Sequence, residues 1–156
     1  MRIVKVSEEN IAEAGKVHSE SWKESHRSFC STDFVERHSP EAQTDYLRAE
    51  IAEGKSIFML LDDEPVGIVS VHGVLIENLY VLSSAQRRGY GSRLLEHALK
   101  LCSGSAKLWI LNTNLAAFSL YSKYGFRFTG VKKPLKNGMY EAEMELSENM
   151  GAGYEA

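Results

Sequence analysis

Residues 86–92 read Gln-Arg-Arg-Gly-Tyr-Gly-Ser. They stand between an almost wholly apolar run, 74–82, and a stretch, 92–102, in which Leu94, Leu95, Ala98, Leu99 and Cys102 recur at helical spacing. A strand covered on both faces, a tight turn and an amphipathic helix in succession commit the chain to a layered α/β arrangement. Two glycines one residue apart let the backbone turn sharply, and the first N–H groups of the helix have no partners within it, where the helix dipole also favours an anion. The turn therefore reads as a phosphate cradle, with Arg87, Arg88 and Arg93 as charge-assisted donors. A glycine turn with solvated arginines fits the same residues. No Gly-Lys-Ser/Thr follows, and Leu94 stands where a dinucleotide fingerprint needs its third glycine, so two common cradles are excluded.

The rest of the chain extends this alternation. Residues 2–6 predict a short strand, and Ser7 is expected to cap a helix whose first turn holds Glu8 and Glu9 and whose buried stripe is Ile11, Ala14, His18 and Trp22. Residues 25–38 are polar and without clear period; Ser39 and Pro40 then start a second helix that stops at Gly54. Residues 57–61 and 66–71 form an antiparallel hairpin around Asp62, Asp63, Glu64 and Pro65. After the cradle and its helix come a strand at 106–111, a helix from Asn114 to Tyr124 with Gly125 as its C-terminal cap, a strand at 126–131 and an alternating strand at 139–146. The order predicts one α/β domain over 1–146, followed by a flexible tail, 147–156.

Composition narrows the function classes. With 156 residues, 44 % hydrophobic and 25 % charged, the chain has ordinary globular make-up for one core. A net charge of −3 supplies no basic field for nucleic acid or anionic lipid. The N-terminal residues show no basic region followed by an apolar one, and no apolar run reaches about 18 residues. Cys30 and Cys102 are too few and too far apart for a disulfide framework or a zinc site. A cytoplasmic protein with no metal, no nucleic-acid partner and no membrane partner is expected.

At these residues the sequence resembles the GNAT superfamily of N-acetyltransferases, whose cofactor-binding turn is Gln/Arg-x-x-Gly-x-Gly/Ala after the fourth strand; QRRGYG fits it throughout. The preceding ENLYV resembles the family's central strand, and NLAAFSLYSKYGF its later Asn-x-x-Ala-x-x-x-Tyr…Gly-Phe segment. Ser83-Ser84-Ala85 departs from the family, which often has a proline and an acidic residue there. The resemblance implies a mixed, mostly antiparallel central sheet of about seven strands with helices on both faces. Its central strands splay apart to form the cofactor cleft. It implies acetyl-CoA as co-substrate, held by Gln86, Arg87, Arg88, Gly89, Tyr90, Gly91 and Ser92 at the pyrophosphate, by main-chain groups of Tyr80 and Val81 along the pantetheine arm, and by Asn114. A backbone N–H near Val81 would bond the thioester carbonyl as its oxygen gains charge. The acceptor is expected to be a primary amine, on a small molecule or a peptide, and a homodimer is implied. A non-catalytic acyl-CoA sensor on the same fold is the competing reading.

Two residues carry the expected chemistry. By resemblance Tyr121 gives a proton to the departing thiolate; its spacing with Ala117, Leu120 and Tyr124 equally suits a core aromatic. Glu77 interrupts an apolar strand, where an unpaired carboxylate is costly to bury, so it must face a wet cleft or have a partner. Related enzymes use a carboxylate on this strand as base, and burial would suit Glu77 to that role. His72 is the alternative. Trp22 and His26 fall where the family builds one wall of the acceptor pocket, though the same residues suit a core Trp22 and an exposed His26; loop 132–138 should form the other wall, and its three lysines point weakly to an acidic or anionic acceptor.

Overall fold

The structure, a computed structural model, describes residues 1–102 and 104–147. The tail expected at 147–156 therefore lies, beyond Ser147, outside the described residues. Strands β1 (Arg2–Lys5), β2 (Ser56–Asp62), β3 (Glu64–His72), β4 (Leu75–Val81), β5 (Ala106–Leu111), β6 (Arg127–Pro134) and β7 (Tyr140–Leu146) form one sheet in the order β1-β2-β3-β4-β5-β7-β6. Every neighbouring pair is antiparallel except β4 and β5. This is the mixed, mostly antiparallel sheet expected.

Side chains of the sheet interior point alternately to two helical layers, as strand geometry requires. Ile57 and Met59 of β2 join Ile11, Ala14 and Val17 of α1 (Ile11–His26) and Leu47 of α3 (Pro40–Ala52). Phe58 and Leu60 pack on the other side with Leu94, Leu95 and Ala98 of α4 (Tyr90–Leu101) and with Tyr121 of α5 (Leu115–Lys123). Gly67 of β3 lets α4 lie close: an added Cβ there would stand 2.8 Å from Leu94 Cδ1 and 2.9 Å from the Tyr80 carbonyl oxygen. Among the described residues no helix is long and apolar enough to cross a membrane.

Three local expectations are corrected. Helix α1 begins at Ile11, not after Ser7, because Asn10 Oδ1 accepts the Ser7 N–H at 2.8 Å while Asn10 Nδ2 donates to the Lys5 carbonyl at 3.1 Å, making a turn first. Glu8 accordingly pairs with Arg48 of α3 at 2.8 Å. The polar stretch contains a short helix, α2 (Thr32–Glu36), capped by Ser31, whose Oγ accepts the Phe34 N–H at 3.3 Å. Strand β6 runs on to Pro134, because its register shifts between Phe128 and Lys132, near Gly130 at φ +96°, and pairing then resumes. Lys132 and Lys133 thus belong to a strand, not a loop.

Substituting Gly67→Ala forces α4 outward against main chain. The expected loss is roughly 1–3 kcal/mol, read as a fall of several degrees in the melting temperature.

Candidate functional site

Strands β4 and β5 meet at one register pair, Leu75 and Lys107, with the Lys107 N–H on the Val74 carbonyl at 2.8 Å. Beyond it they diverge. Between them opens a cleft of about 310 Å³ whose lining includes Glu77, Tyr80, Trp109, Asn114, Tyr121 and Glu141. Part of the cause lies in β4 itself. Ile68 pairs with Tyr80 but Ser70 with Glu77, so Val69 faces two residues, Asn78 and Leu79, and Asn78 is left-handed at φ +51°. Such a bulge bends its strand and strengthens the twist. Behind it His18 is buried edge-on to Tyr80, and burial brings its pKa down to about 4, so no charge sits under the bulge at neutral pH.

Strand alternation decides which main-chain groups face the opening. Leu82 donates its N–H to the Val66 carbonyl at 2.9 Å, which makes that a hydrogen-bonded pair and the adjacent Val81–Gly67 pair a non-bonded one. Val81 therefore turns its N–H and carbonyl away from β3, toward β5. Gln86 Nε2 donates to that carbonyl at 3.0 Å, so this side chain fastens the cradle to the end of β4, and the Val81 N–H is left at the gap. Tyr80 directs its main chain to Ile68 and its ring into the cleft.

The cradle follows directly. Gly89 is the N-terminal cap of α4 at φ +81°, and Arg87 is also left-handed at φ +67°. Alternating left-handed residues are what a backbone anion nest requires. The first N–H bonded into the helix is that of Arg93, on the Gly89 carbonyl at 3.1 Å. The N–H groups of Tyr90, Gly91 and Ser92 at the helix start thus have no helical acceptor. Arg87 and Arg88 are exposed beside them. The Tyr90 side chain points away from the anion site; it is buried, and its hydroxyl donates to Asp62. A Cβ on Gly91 would lie 3.4 Å from Leu120 Cδ2, so the start of α4 abuts α5.

Helix α5 brings Tyr121 to the cleft. Asn114 caps it, its Oδ1 accepting the Ala117 N–H at 3.0 Å, and also lines the cleft. Tyr121 is 7 % exposed; burial pushes its phenol above the ordinary value, so the ring is both core and protonated cleft wall. Glu77 lines the cleft and has a partner, Lys55 Nζ at 3.2 Å; the same ammonium lies 2.8 Å from Glu50. His72 is exposed at the far end of β3 and is not among the cleft-lining residues.

A second cavity of about 640 Å³ adjoins the cleft, lined by Phe29, Phe34, Leu135 and Met139 among others. Trp22, His26, Leu111 and Glu141 line both. Trp22 is half-buried rather than core; it stacks on His26 at 4.0 Å and on His38 at 3.4 Å between ring centroids. The end of α1 is tied to the cradle side by Glu24, which accepts the Ser83 N–H at 3.0 Å and the Ser83 hydroxyl proton. Ser83 thereby anchors the turn to α1. Two of the three expected loop lysines are engaged elsewhere, Lys132 over the Tyr140 ring at 4.8 Å and Lys133 over Trp109 at 3.9 Å; Lys136 remains on the cavity. Glu141 escaped the sequence reading, where strand alternation showed only that it shares a face with Glu143 and Glu145.

Known proteins share this arrangement. The model of the acetyltransferase (GNAT) family matches residues 19–126. A peptidyl-lysine N-acetyltransferase, YjaB of Salmonella typhimurium, is 34 % identical over 107 residues, 60 % of this chain and 73 % of that protein. Among solved structures, the paiA N-acetyltransferase of Thermoplasma acidophilum in complex with coenzyme A superimposes with a TM-score of 0.66 at 20 % identity, over 93 % of this chain and 98 % of that one. yncA, a putative acetyltransferase of Salmonella typhimurium solved with acetyl-CoA, does so with a TM-score of 0.70 at 17 % identity, over 95 % and 94 %. Cradle, splayed strands and family match coincide on the same residues, and the chain belongs to the GNAT family of acetyltransferases.

Proposed function

We propose that residues 1–146 act as one domain that binds acetyl-CoA and transfers its acetyl group to a primary amine by direct attack. The observation that carries this reading is the succession, along one segment, of a cleft lined by Glu77, Tyr80 and Tyr121, a Val81 main chain turned away from β3, and free N–H groups of Tyr90, Gly91 and Ser92 at the start of α4. A diphosphate fits the first of these and an extended amide-containing arm the second. Bound there, acetyl-CoA supplies an activated acyl group.

The chain's own residues then have separable roles. The N–H groups at the start of α4, with Arg87 and Arg88 beside them, hold the pyrophosphate. The Val81 N–H meets the thioester oxygen, where negative charge develops as the amine attacks. Glu77, held at the cleft wall by Lys55, takes the proton from the amine. Tyr121 gives its phenolic proton to the sulfur as the carbon–sulfur bond breaks. The amine enters through the adjoining cavity, as a lysine side chain of a peptide or as a small molecule. YjaB's peptide-lysine activity supports the amine class.

Three outcomes are expected. Tyr121→Phe should bind coenzyme A as wild type does yet release thiol from acetyl-CoA roughly a hundredfold more slowly; equal turnover would remove Tyr121 from the reaction. Because burial raises the Tyr121 pKa, the acid form persists at high pH, and kcat should show no alkaline fall before about pH 10. Gly89→Ala adds a Cβ in open space but at φ +81°. That strain, about 1–2 kcal/mol, should weaken coenzyme A binding about tenfold in calorimetry with little change in kcat.

A further inference from the structure

The cleft and the adjoining cavity share one carboxylate, Glu141. It sits on β7 opposite Leu111 of β5 and Lys133 of β6. Lys133, the cation placed to pair with it, lies over the Trp109 ring instead, at 3.9 Å. Among the described residues the Glu141 carboxylate forms no hydrogen bond or ion pair, whereas Glu77, the other carboxylate of the cleft, is held by Lys55. Glu141 is half-buried, and its charge is felt by the half-buried Tyr80 phenol. A half-buried carboxylate without a partner, where two open cavities meet, attracts a cation.

What surrounds Glu141 limits which cation. The cavity wall is mostly apolar, with Trp22, Phe29, Phe34, Leu135 and Met139 outweighing Ser31 and Asn137, and Trp22 is fixed by its stacking on His26 and His38. Its other charged residues are cationic, Arg37 and Lys136. A single ammonium finds one acid here and an apolar surface for the rest of the molecule. Further ammonium groups, as on a polyamine, would meet apolar rings and two like charges with no acid to receive them.

We infer that Glu141 receives the ammonium of the acceptor, and that the acceptor is a primary monoamine carried on an apolar, ring-sized body. The inference rests on the acetyltransferase reading of the cleft. It assigns Glu141 to binding, so its effect appears without turnover.

Calorimetric titration at pH 7 with coenzyme A present tests it, using 2-phenylethylamine, its uncharged isostere 2-phenylethanol, and spermidine. Wild-type protein should bind 2-phenylethylamine at least tenfold more tightly than either of the others. Glu141→Gln should lose at least tenfold toward 2-phenylethylamine, retain the wild-type affinity for coenzyme A and leave 2-phenylethanol unchanged. Equal binding of amine and alcohol by wild-type protein, spermidine as the better ligand, no measurable amine binding, or a Glu141→Gln protein indistinguishable from wild type would each overturn the inference. The wild-type comparison decides the matter even if the variant does not fold. Failure of wild-type protein to bind coenzyme A would instead overturn the acetyltransferase reading.

Discussion

Two central strands that pair at one end only create the main constraint on this molecule. Interior strands normally satisfy each other's N–H and carbonyl groups, and leaving such groups unpaired away from water is costly. Here β4 and β5 share one register pair and then part, so their inner edges face a cleft rather than each other. An extended ligand with amide groups can restore what the sheet lacks. The site is in this sense an interrupted hydrogen-bond ladder, and the bulge at Asn78 adds the twist that helps keep it interrupted.

An opening in a sheet would close unless its edges were held, and the polar contacts around this one do so from several elements. Lys55 joins Glu77 of β4 to Glu50 of α3. Glu24 of α1 holds Ser83, and Gln86 holds the Val81 carbonyl, fixing both sides of the turn between β4 and α4. Tyr90 and Tyr124 donate to Asp62 and Glu96, anchoring the start of α4 to the end of β2 and the end of α5 to α4. Most of these contacts are at least partly exposed, where a single pair contributes little stability. Their effect is positional: each ties an edge of the cleft to an element of the packed core.

Much of this is readable from residues 74–124 because the features there are properties of the backbone. Two glycines in a turn, an apolar strand before it and a helical period after it specify where N–H groups must lie, almost regardless of neighbours. The alternation of helices and strands likewise yields the sheet and its two helical layers. What the sequence does not show depends on partners distant in the chain. That Glu77 meets Lys55 follows from how α3 runs into β2. The start of α1 departs from expectation because Asn10 competes with Ser7 for the cap, and a one-dimensional pattern does not rank the two. Lys132 and Lys133 look like a basic loop because a bulge at Gly130 hides the continuation of β6.

The same distinction separates the two halves of the site. The proposed cofactor half is made largely of main chain from one contiguous segment, so a motif records it. The proposed acceptor half is assembled from side chains of α1, α2, β5, β7 and the loop between β6 and β7, which approach only after folding. No spacing rule joins Trp22 to Glu141 across more than a hundred residues, and no residue of the cradle lines that cavity. A fold built this way can keep one cofactor while its acceptor changes, since the groups proposed to meet the amine are not the groups that hold the sheet open. Glu141 lies at the boundary between the halves, on the strand that completes β5's other edge, and this gives it access to both cavities without a part in the cradle.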